Sequence, residues 1–421
     1  MITLLMVVAI GMGIGVSMTV LTVNYLMGKD PIPSKSSELF HVQLFSYGEG
    51  NENSSVDDGF PSQITYQDAM NLNQSDIPTR KTRSVATGFS VIPVKADQTP
   101  FLESARAIDS DFFAMFKIPF IYGEVWNKKV DISPRNVAVI GKELNEKIFS
   151  GENSIGREIN LEGNLFTIVG VIEDWQPTPR FYDLNNGSFN SSERLFLPFS
   201  LVPVLELPSW GNNNSWKTEI INTYEDRLRS ERLWNQYWVE LNTYKQKEEY
   251  IDWINGYITE QQKLERFTHE KAGVSLKGVT QWLSYNTVVS SDNSILVGLA
   301  FMFLVVCMIN TLGLLLSKFL NRAPEIGVRR ALGASRRTIF FQHLVDVGMI
   351  GLAGGLVGLG LSQLGLIGVK LLYSNYNQLV QMDLTLMFSA IAIAISASIL
   401  AGMYPAWIIC RTNPSVYLKI Q

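Results

Sequence analysis

The sequence has 421 residues and a formal net charge of −4, with 46% hydrophobic and 18% charged residues. A chain of this length can hold two or three domains, and the average composition would suit an ordinary soluble protein. No nucleic-acid partner is expected for it. The average conceals a segregation, because the apolar residues are concentrated in a few long stretches.

Four of these stretches carry no charged residue: 1–28, 295–317, 347–369 and 384–409. Each exceeds the roughly 20 residues that a helix needs to cross a bilayer, so we predict four transmembrane helices. The first could instead be a cleaved signal peptide. Its apolar stretch is longer than the usual 7–15 or so residues and nothing basic precedes it, which favours a retained helix. A short cytoplasmic lead missing before residue 1 is a further open alternative.

The segment 29–292 alternates short strands with helices, and we expect an α+β domain of one or two subdomains. A helix with Thr65 as its N-cap is predicted over 65–73, and the longest helix of the domain is expected after strand 237–243. The other predicted elements are a strand over 41–47, paired strands over 84–96 and 101–108, a strand and helix over 136–151, a hairpin turning at Glu162, Gly163 and Asn164, and a helix face formed by Ile251, Ile254, Tyr257 and Ile258.

Two polar inserts, 183–194 and 209–216, are predicted to be loops, where ligand contacts would be built. Trp210 and Trp216 lie in the second insert and are candidates to contact an amphipathic ligand. Most other tryptophans of the domain are expected in its core. The domain has no cysteine, so its core rather than disulfides must stabilise it.

The connection "NRAPEIGVRRALGASRR" (321–337) is strongly basic, with five arginines against one glutamate. Short loops rich in Lys and Arg remain cytoplasmic, so this loop is expected inside the cell and segment 29–292 outside. The predicted organisation is helix 1 (1–28), external domain (29–292), helix 2 (293–319), cytoplasmic segment (320–343), helix 3 (344–372), external loop (373–383), helix 4 (384–410) and cytoplasmic tail (411–421).

A helix of about two turns is predicted inside the basic loop, over 324–332. Pro324 has no N–H to lose in a first turn, Glu325 complements the positive helix end, and Gly333 suits a left-handed C-terminal cap. Ser335 can then cap a helix that continues into the third span. A partner that binds such a rigid helix between two spans can move both spans together. The alternative is that the arginines only fix the topology and contact lipid phosphates.

Several stretches resemble one family. "PEIGVRRALGASRRTI" (324–339) closely resembles the cytoplasmic coupling segment of the MacB/FtsX-type ABC transporter permeases. The stretches 109–126, 136–174 and "LFLPFS" (195–200) resemble the periplasmic core domain of MacB-like permeases, and "YPAWIICRTNPSVYLK" (404–419) resembles the family's C-terminal end. The likeness covers nearly the whole chain in the same order of elements.

The resemblance implies an integral membrane α-helical protein of the bacterial inner membrane, with four transmembrane helices and a large α+β periplasmic domain inserted between helices 1 and 2. It also implies a coupling helix that seats in a groove of an ATP-binding subunit. The arginines would offer planar forks to carboxylates, and Ile326 with Leu332 would fill a pocket. The sequence departs from the family's pattern at Pro324. The residues expected to form this site are Pro324, Glu325, Ile326, Gly327, Arg329, Arg330, Ala331, Leu332 and Gly333.

The expected partners follow from the same resemblance. They are a dimer of separate ABC ATPase subunits, which would hold ATP and Mg²⁺, and a second permease copy or paralogue. An export role would add a periplasmic adaptor and an outer-membrane duct, and the substrate would be periplasmic or membrane-derived. The alternative is an FtsX-like signalling permease that activates a periplasmic partner such as a cell-wall hydrolase.

No catalytic residue, metal site or cofactor is expected on this chain. A phosphate-binding loop needs G-x-x-x-x-G-K-[ST], and the nearest match, "GENSIGRE" (151–158), has Arg157 and Glu158 at the last two positions. The three histidines share no metal-ligand spacing. ATP hydrolysis is therefore expected on another chain.

Glycine pairs of the G-x-x-x-G type predict tight helix contacts, within the chain or with a second permease. They are Gly11 with Gly15, Gly351 with Gly355, and Gly354 with Gly358.

Overall fold

The computed structural model describes residues 1–48, 59–93, 99–289, 291–372 and 384–411. It divides into two compact units, a helical unit of Met1–Lys29 with Val289–Gln421 and an α+β unit of Asp30–Val288. The predicted loop 373–383, the tail beyond residue 411 and the end of the predicted strand 84–96 lie outside the described residues.

The described residues form eleven α-helices and twelve strands. The helices are α1 (Ile2–Gly28), α2 (Tyr66–Leu72), α3 (Asp111–Met115), α4 (Lys142–Phe149), α5 (Tyr224–Arg229), α6 (Tyr244–Gln262), α7 (Val279–Tyr285), α8 (Ser291–Asn321), α9 (Ala323–Ala331), α10 (Arg336–Leu372) and α11 (Leu384–Arg411). The strands are β1 (Leu39–Leu44), β2 (Ile64–Thr65), β3 (Arg80–Ile92), β4 (Phe101–Ile108), β5 (Phe120–Gly123), β6 (Val137–Gly141), β7 (Glu158–Leu161), β8 (Asn164–Ile172), β9 (Leu195–Pro198), β10 (Asn214–Ser215), β11 (Arg232–Glu240) and β12 (Val274–Gly278).

Four helices of the helical unit are long and apolar enough to cross a membrane, as predicted: α1, α8, α10 and α11. Helix α1 packs along α8 and α10, and α11 packs along α10 and α8. The four share one apolar cluster, to which Ile14, Leu315, Val347 and Ala394 belong. The short helix α9 joins α8 to α10 and contributes Ile326 to the same cluster.

The α+β unit is built on one mixed sheet of twelve strands, with the order β12-β1-β11-β3-β4-β9-β6-β8-β5. Strands β2 and β10 pair with β11, and β7 bridges β3 and β8. The pairs β4–β9 and β6–β8 are parallel, and the other pairs are antiparallel. Because one sheet connects all twelve strands, it joins segments from residue 39 to residue 278.

Both faces of the sheet centre are buried. Leu195 and Leu197 on β9 belong to one apolar cluster, whereas Phe196 between them belongs to another. On the neighbouring strand β6, Ile140 belongs to the same cluster as Leu195, and Val139 belongs to the same cluster as Phe196. Successive side chains of a strand point to opposite faces, so these strands read as continuous apolar runs, as is typical of strands covered on both sides.

Local signals in the sequence predict the ends of several elements correctly. The Thr65 hydroxyl accepts a hydrogen bond from the Asp68 backbone N–H at 3.0 Å, which caps α2. Glu162 and Gly163 form the predicted hairpin turn, with φ of +52° and +91°, as a two-residue hairpin of the primed type requires. The predicted strand 237–243 begins earlier, at Arg232, because the preceding residues also pair within the sheet.

The polar insert predicted over 183–194 is more than a surface loop, because it carries a buried ion cluster. Arg106 on β4 is fully buried and bonds to both Asp183 and Glu193, the latter at 2.7 Å. Arg180 contacts Glu193 at 3.4 Å. Burial alone would raise the pKa of Glu193, but the charges of Arg106 and Arg180 lower it to about 2. Two arginines thus balance two carboxylates inside the unit, and they fix the insert to the sheet.

The tryptophans divide largely as expected. Trp234, Trp238 and Trp282 are fully buried. Trp210 remains 37% exposed and its ring lies over Gly88, where a side chain on that strand position would collide with it. The structure therefore gives Trp210 a packing role on β3.

Candidate functional site

The sequence of α9 explains where this helix begins and ends. Pro324 lies in its first turn together with Glu325. After the helix, Gly333 has φ of +101°, a conformation that favours glycine. The Ser335 hydroxyl then accepts a hydrogen bond from the Thr338 backbone N–H at 3.1 Å and caps α10. The observed helix Ala323–Ala331 agrees with the predicted 324–332 to within one residue.

One face of α9 is exposed. Leu332, just after the helix, is 83% exposed and Val328 is 48% exposed. These two positions, with Glu325, recur every three to four residues and so share one side of the helix. Within 323–332, the exposed residues are Pro324, Glu325, Val328, Arg329, Ala331 and Leu332. We call these six residues the outer face of α9.

The opposite face of α9 packs inward. Ile326 is only 7% exposed and belongs to the same apolar cluster as Ile339, Ala406 and Cys410. Gly327 beside it is also buried. The expectation that Ile326 fills a pocket of a partner is therefore corrected, because burial within this chain already uses its side chain. Leu332 keeps the exposed position that such a contact requires.

The charged side chains of α9 also divide between the two faces. Glu325 and Arg329 form an exposed ion pair at 2.7 Å, one turn apart, and Arg329 also reaches the amide oxygen of Gln342 on α10 at 3.4 Å. Arg330 is half-buried and its Nη1 donates to the backbone carbonyl of Cys410 on α11 at 3.4 Å. An exposed pair of this kind contributes about 0.3–0.5 kcal/mol. Glu325 and Arg329 can therefore give up this ion pair and bind charged groups of a partner protein instead.

A small cavity of about 50 Å³ separates α9 from α10. Its lining includes Arg322, Gln342, His343 and Asp346. A cavity needs room for about one probe sphere to hold a water molecule, so this one can hold a few waters and is far too small for a nucleotide. It marks a seam between two helices of this chain.

The nine residues predicted for this site therefore do not all lie on one exposed surface. Six of them are exposed: Pro324, Glu325, Arg329, Ala331, Leu332 and Gly333. Ile326, Gly327 and Arg330 turn inward. Val328 is a surface residue that the prediction omitted. The helical spacing between Glu325, Val328 and Leu332 could have identified it.

The predicted glycine positions of α10 lie at contacts between helices of this chain. Gly354 and Gly358 face α1, where an added Cβ would come within 2.7 Å of the Cγ2 atoms of Ile10 and Ile14, respectively. Each isoleucine therefore lies directly over a glycine. Only glycine allows this approach of the two helices.

The other two predicted glycines face a different helix. A Cβ at Gly351 would lie 2.6 Å from the Ser398 hydroxyl, and one at Gly355 would lie 2.9 Å from the Cβ of Ala394. Both partners are on α11. Helix α10 thus carries two glycine pairs, one for each neighbour.

The three histidines are not grouped with other possible metal ligands in the part of the chain that the structure describes. Among the described residues, no group of three or more His, Cys, Asp or Glu side chains is placed to hold a metal ion. His41 stacks on Trp282 with ring centroids 3.9 Å apart, and burial, together with the charge of Lys277, lowers its pKa to about 3. It is therefore a neutral core residue at ordinary pH.

Two protein-family models match this chain. A family model described as "MacB-like periplasmic core domain" matches residues 3–256, which is more than half of the chain. A second, described as "FtsX-like permease C-terminal", matches residues 297–414. Together they reach from the first helix to the last.

Two curated relatives illustrate the similarity. The pyoverdine export ATP-binding/permease protein PvdT of Pseudomonas fluorescens is 25% identical over 360 residues, covering 85% of this chain and 48% of its own length. The macrolide export ATP-binding/permease protein MacB of Pasteurella multocida is 26% identical over 373 residues, covering 86% and 50%. The chain thus spans about half the length of the curated relatives it matches.

Among solved structures, the periplasmic region of MacB from Actinobacillus actinomycetemcomitans matches at 12% identity with a TM-score of 0.36, over 59% of this chain and 92% of that one. The assignment of the chain to a family rests on the two family models. Taken with the four apolar helices, they show that the chain belongs to the MacB/FtsX-type ABC transporter permeases.

Proposed function

We propose that this permease transmits motion from cytoplasmic ATPase subunits to its α+β unit, and that the motion drives export of a periplasmic or membrane-derived substrate. The outer face of α9 is the observation that carries the proposal. It combines an exchangeable ion pair, Glu325 with Arg329, and two exposed apolar residues, Val328 and Leu332. A groove with a complementary carboxylate and an apolar pocket would bind such a face.

The short connections of α9 to α8 and α10 favour its acting as a lever on both helices. One residue, Arg322, separates it from α8, and four residues separate it from α10. Ile326 anchors its inner face in the apolar cluster of the membrane helices. A displacement of α9 by a bound subunit therefore moves the ends of two predicted spans together, rather than being absorbed in a flexible loop.

The ATPase is proposed to be a separate polypeptide that acts as a dimer and holds ATP and Mg²⁺. The 421 residues contain no G-x-x-x-x-G-K-[ST] sequence, and relatives of about twice the length are named as ATP-binding/permease proteins, so the nucleotide site is proposed to lie outside these residues. A second permease copy or paralogue would complete the membrane complex.

The arrangement in the cell follows from the basic loop. Its arginines favour a cytoplasmic position for α9, and the α+β unit, inserted between the first and second spans, would then lie in the periplasm of a bacterial inner-membrane protein. Export is favoured over a signalling role because the relatives named above are export proteins. A periplasmic adaptor and an outer-membrane duct would then complete the route.

Affinity purification of the tagged chain from membranes in mild detergent, with identification of every co-purifying protein, tests this proposal. We expect an ATP-binding-cassette subunit to co-purify. L332D, which puts a carboxylate on the outer face of α9, should reduce its recovery about tenfold or more, because an unpaired buried charge costs several kcal/mol.

T338D is the matched control. It introduces the same charge at an exposed position in the first turn of α10, where a carboxylate is favourable, and recovery should remain at the wild-type level. Equal recovery with L332D and wild type, or no ATP-binding subunit even after cross-linking, would contradict the coupling role. A co-purifying adaptor and duct would support export, and a hydrolase would favour signalling instead.

A further inference from the structure

We infer that Arg330 is a positioning residue that links α9 to the last described turn of α11, so that motion of α9 reaches this fourth membrane helix as well as the two helices joined to it by the chain. The inference rests on the proposed coupling function and deepens it. It also assigns Arg330 a different role from its exposed neighbour Arg329.

The Arg330 side chain extends from α9 to α11. Arg330 lies four residues after Ile326 and so follows it on the inner face of α9. It is half-buried, whereas Arg329 is exposed. Its Nη1 atom donates to the carbonyl oxygen of Cys410 at 3.4 Å. The guanidinium therefore points towards α11 and away from the outer face of α9.

The acceptor of this hydrogen bond lies in the last described turn of α11. Cys410 precedes Arg411, the last described residue of this helix, and its carbonyl oxygen accepts from Arg330. A guanidinium is permanently charged and offers several donors in a fixed geometry. It is therefore suited to hold this turn of α11 against α9.

Apolar packing supports the same link. Ile326 of α9 and both Ala406 and Cys410 of α11 belong to one apolar cluster. The hydrogen bond from Arg330 therefore lies beside buried side chains and is not an isolated surface contact. Charge and packing together hold the two helix ends against each other.

Connectivity makes this link important. Arg322 joins α9 to α8, and residues 332–335 join it to α10, so the peptide chain carries its motion to both. No such connection exists to α11, because the whole of α10 lies between them in the sequence. Among the described residues, a displacement of α9 reaches α11 directly through contacts such as that of Arg330.

The test is hydrogen–deuterium exchange of the complete transporter, purified with its ATPase and measured with and without ATP. In the wild type, we expect ATP to change the exchange of both α9 and the last two turns of α11. In R330Q, the change in α9 should persist, whereas that at the end of α11 should fall about fivefold or more, as expected from losing a charged hydrogen bond.

R330K and R337Q are the matched variants. R330K keeps the charge without the planar fork and should restore part of the α11 response, which a merely structural role of Arg330 would not require. R337Q removes an arginine that is exposed on α10 and should behave as wild type. If R330Q does not accumulate in membranes, R330M, which keeps an unbranched side chain but no donor, replaces it.

The outcomes separate the two proposals. An α11 response in R330Q equal to that of the wild type, with the ATPase bound, overturns the role of Arg330 and leaves the coupling function intact. If wild-type α9 does not respond to ATP at all, the coupling function fails and this inference fails with it.

Discussion

Arg106 Nη2 lies 2.7 Å from Glu193 Oε1, and both side chains are buried in the α+β unit although 87 residues separate them in the chain. The same guanidinium bonds to Asp183. A buried ion pair costs much of its attraction in desolvation, but removing one partner leaves the other charge without compensation. Arg106 therefore holds two carboxylates in place at once.

R106M is expected to destabilise the α+β unit by about 3–5 kcal/mol, because Asp183 and Glu193 lose their main counter-charge. Denaturant unfolding of the full chain in detergent, followed by tryptophan fluorescence, measures this. R157M is the control, since Arg157 and Glu152 form an exposed pair, and its effect should be below about 1 kcal/mol. Similar losses in the two variants would show that the buried cluster is not a special anchor.

G358A is expected to weaken the packing of α1 on α10. The added Cβ would lie 2.7 Å from Cγ2 and 2.8 Å from Cβ of Ile14, and a β-branched side chain cannot easily move aside. A loss of about 1–3 kcal/mol is expected, as for overpacking in a core. The measurement is the thermal stability of the purified chain in detergent.

Gly360 provides the control for this change, because nothing lies within 4 Å of a Cβ built there. G360A should be neutral or slightly stabilising, since alanine favours a helix by about 1 kcal/mol over glycine. If G358A is as stable as G360A, the close contact between α1 and α10 is not needed for stability.

Asp131 gives the α+β unit a predictable pH dependence. Burial and the neighbouring charge of Asp109 raise the pKa of Asp131 to about 6, against hydrogen bonds from Ser110 and Trp126 that act to lower it. The folded pKa thus lies above the unfolded value of 3.8. The stability that this carboxyl contributes is fully present below pH 3.8 and is lost as the pH rises through about 6.

D131N removes this titration. Relative to wild type, its free energy of unfolding should rise between about pH 4 and pH 7 by an amount on the order of 3 kcal/mol and then level off. Denaturant unfolding at a series of pH values, with Trp126 as a nearby fluorophore, measures the difference. D76N, at an exposed carboxylate, should follow the wild-type profile. Parallel profiles for D131N and wild type would contradict the assignment.

Gly333 sets the angle between α9 and α10. Its φ of +101° is strained for any residue with a Cβ, so G333A should cost on the order of 1–2 kcal/mol locally and reorient α9. We expect the ATPase to co-purify but its ATP-dependent effect on the α+β unit, measured by hydrogen exchange, to decrease. G313A, in α8 with open space around the glycine, should leave the response unchanged. A wild-type response in G333A would mean that this turn does not define the lever.

The sequence predicted features that depend on neighbouring residues. The Thr65 cap, the turn at Glu162 and Gly163, and the bounds of α9 all follow from side chains within a few positions of each other. The four spans were equally clear, because length and polarity alone define them.

Features that depend on distant contacts were missed. Arg106 finds its carboxylates 77 and 87 residues away, so the insert 183–194 looked like a polar loop. The inward direction of Arg330 depends on Cys410, 80 residues away. No local pattern specifies such pairs, because only the folded helices and sheet bring them together.

The contact between α1 and α10 also opposes slippage by one turn in either direction. Ile10 lies over Gly354 and Ile14 over Gly358, so both helices run in the same direction with a shared four-residue spacing. If α10 shifted by about 6 Å towards its own N-terminus, Gly358 would come under Ile10, but the Cβ of Ser362 would be driven against Ile14. The opposite shift would drive Ile350 against Ile10. The two isoleucines therefore set a single register for the parallel pair, in which each of them faces a glycine.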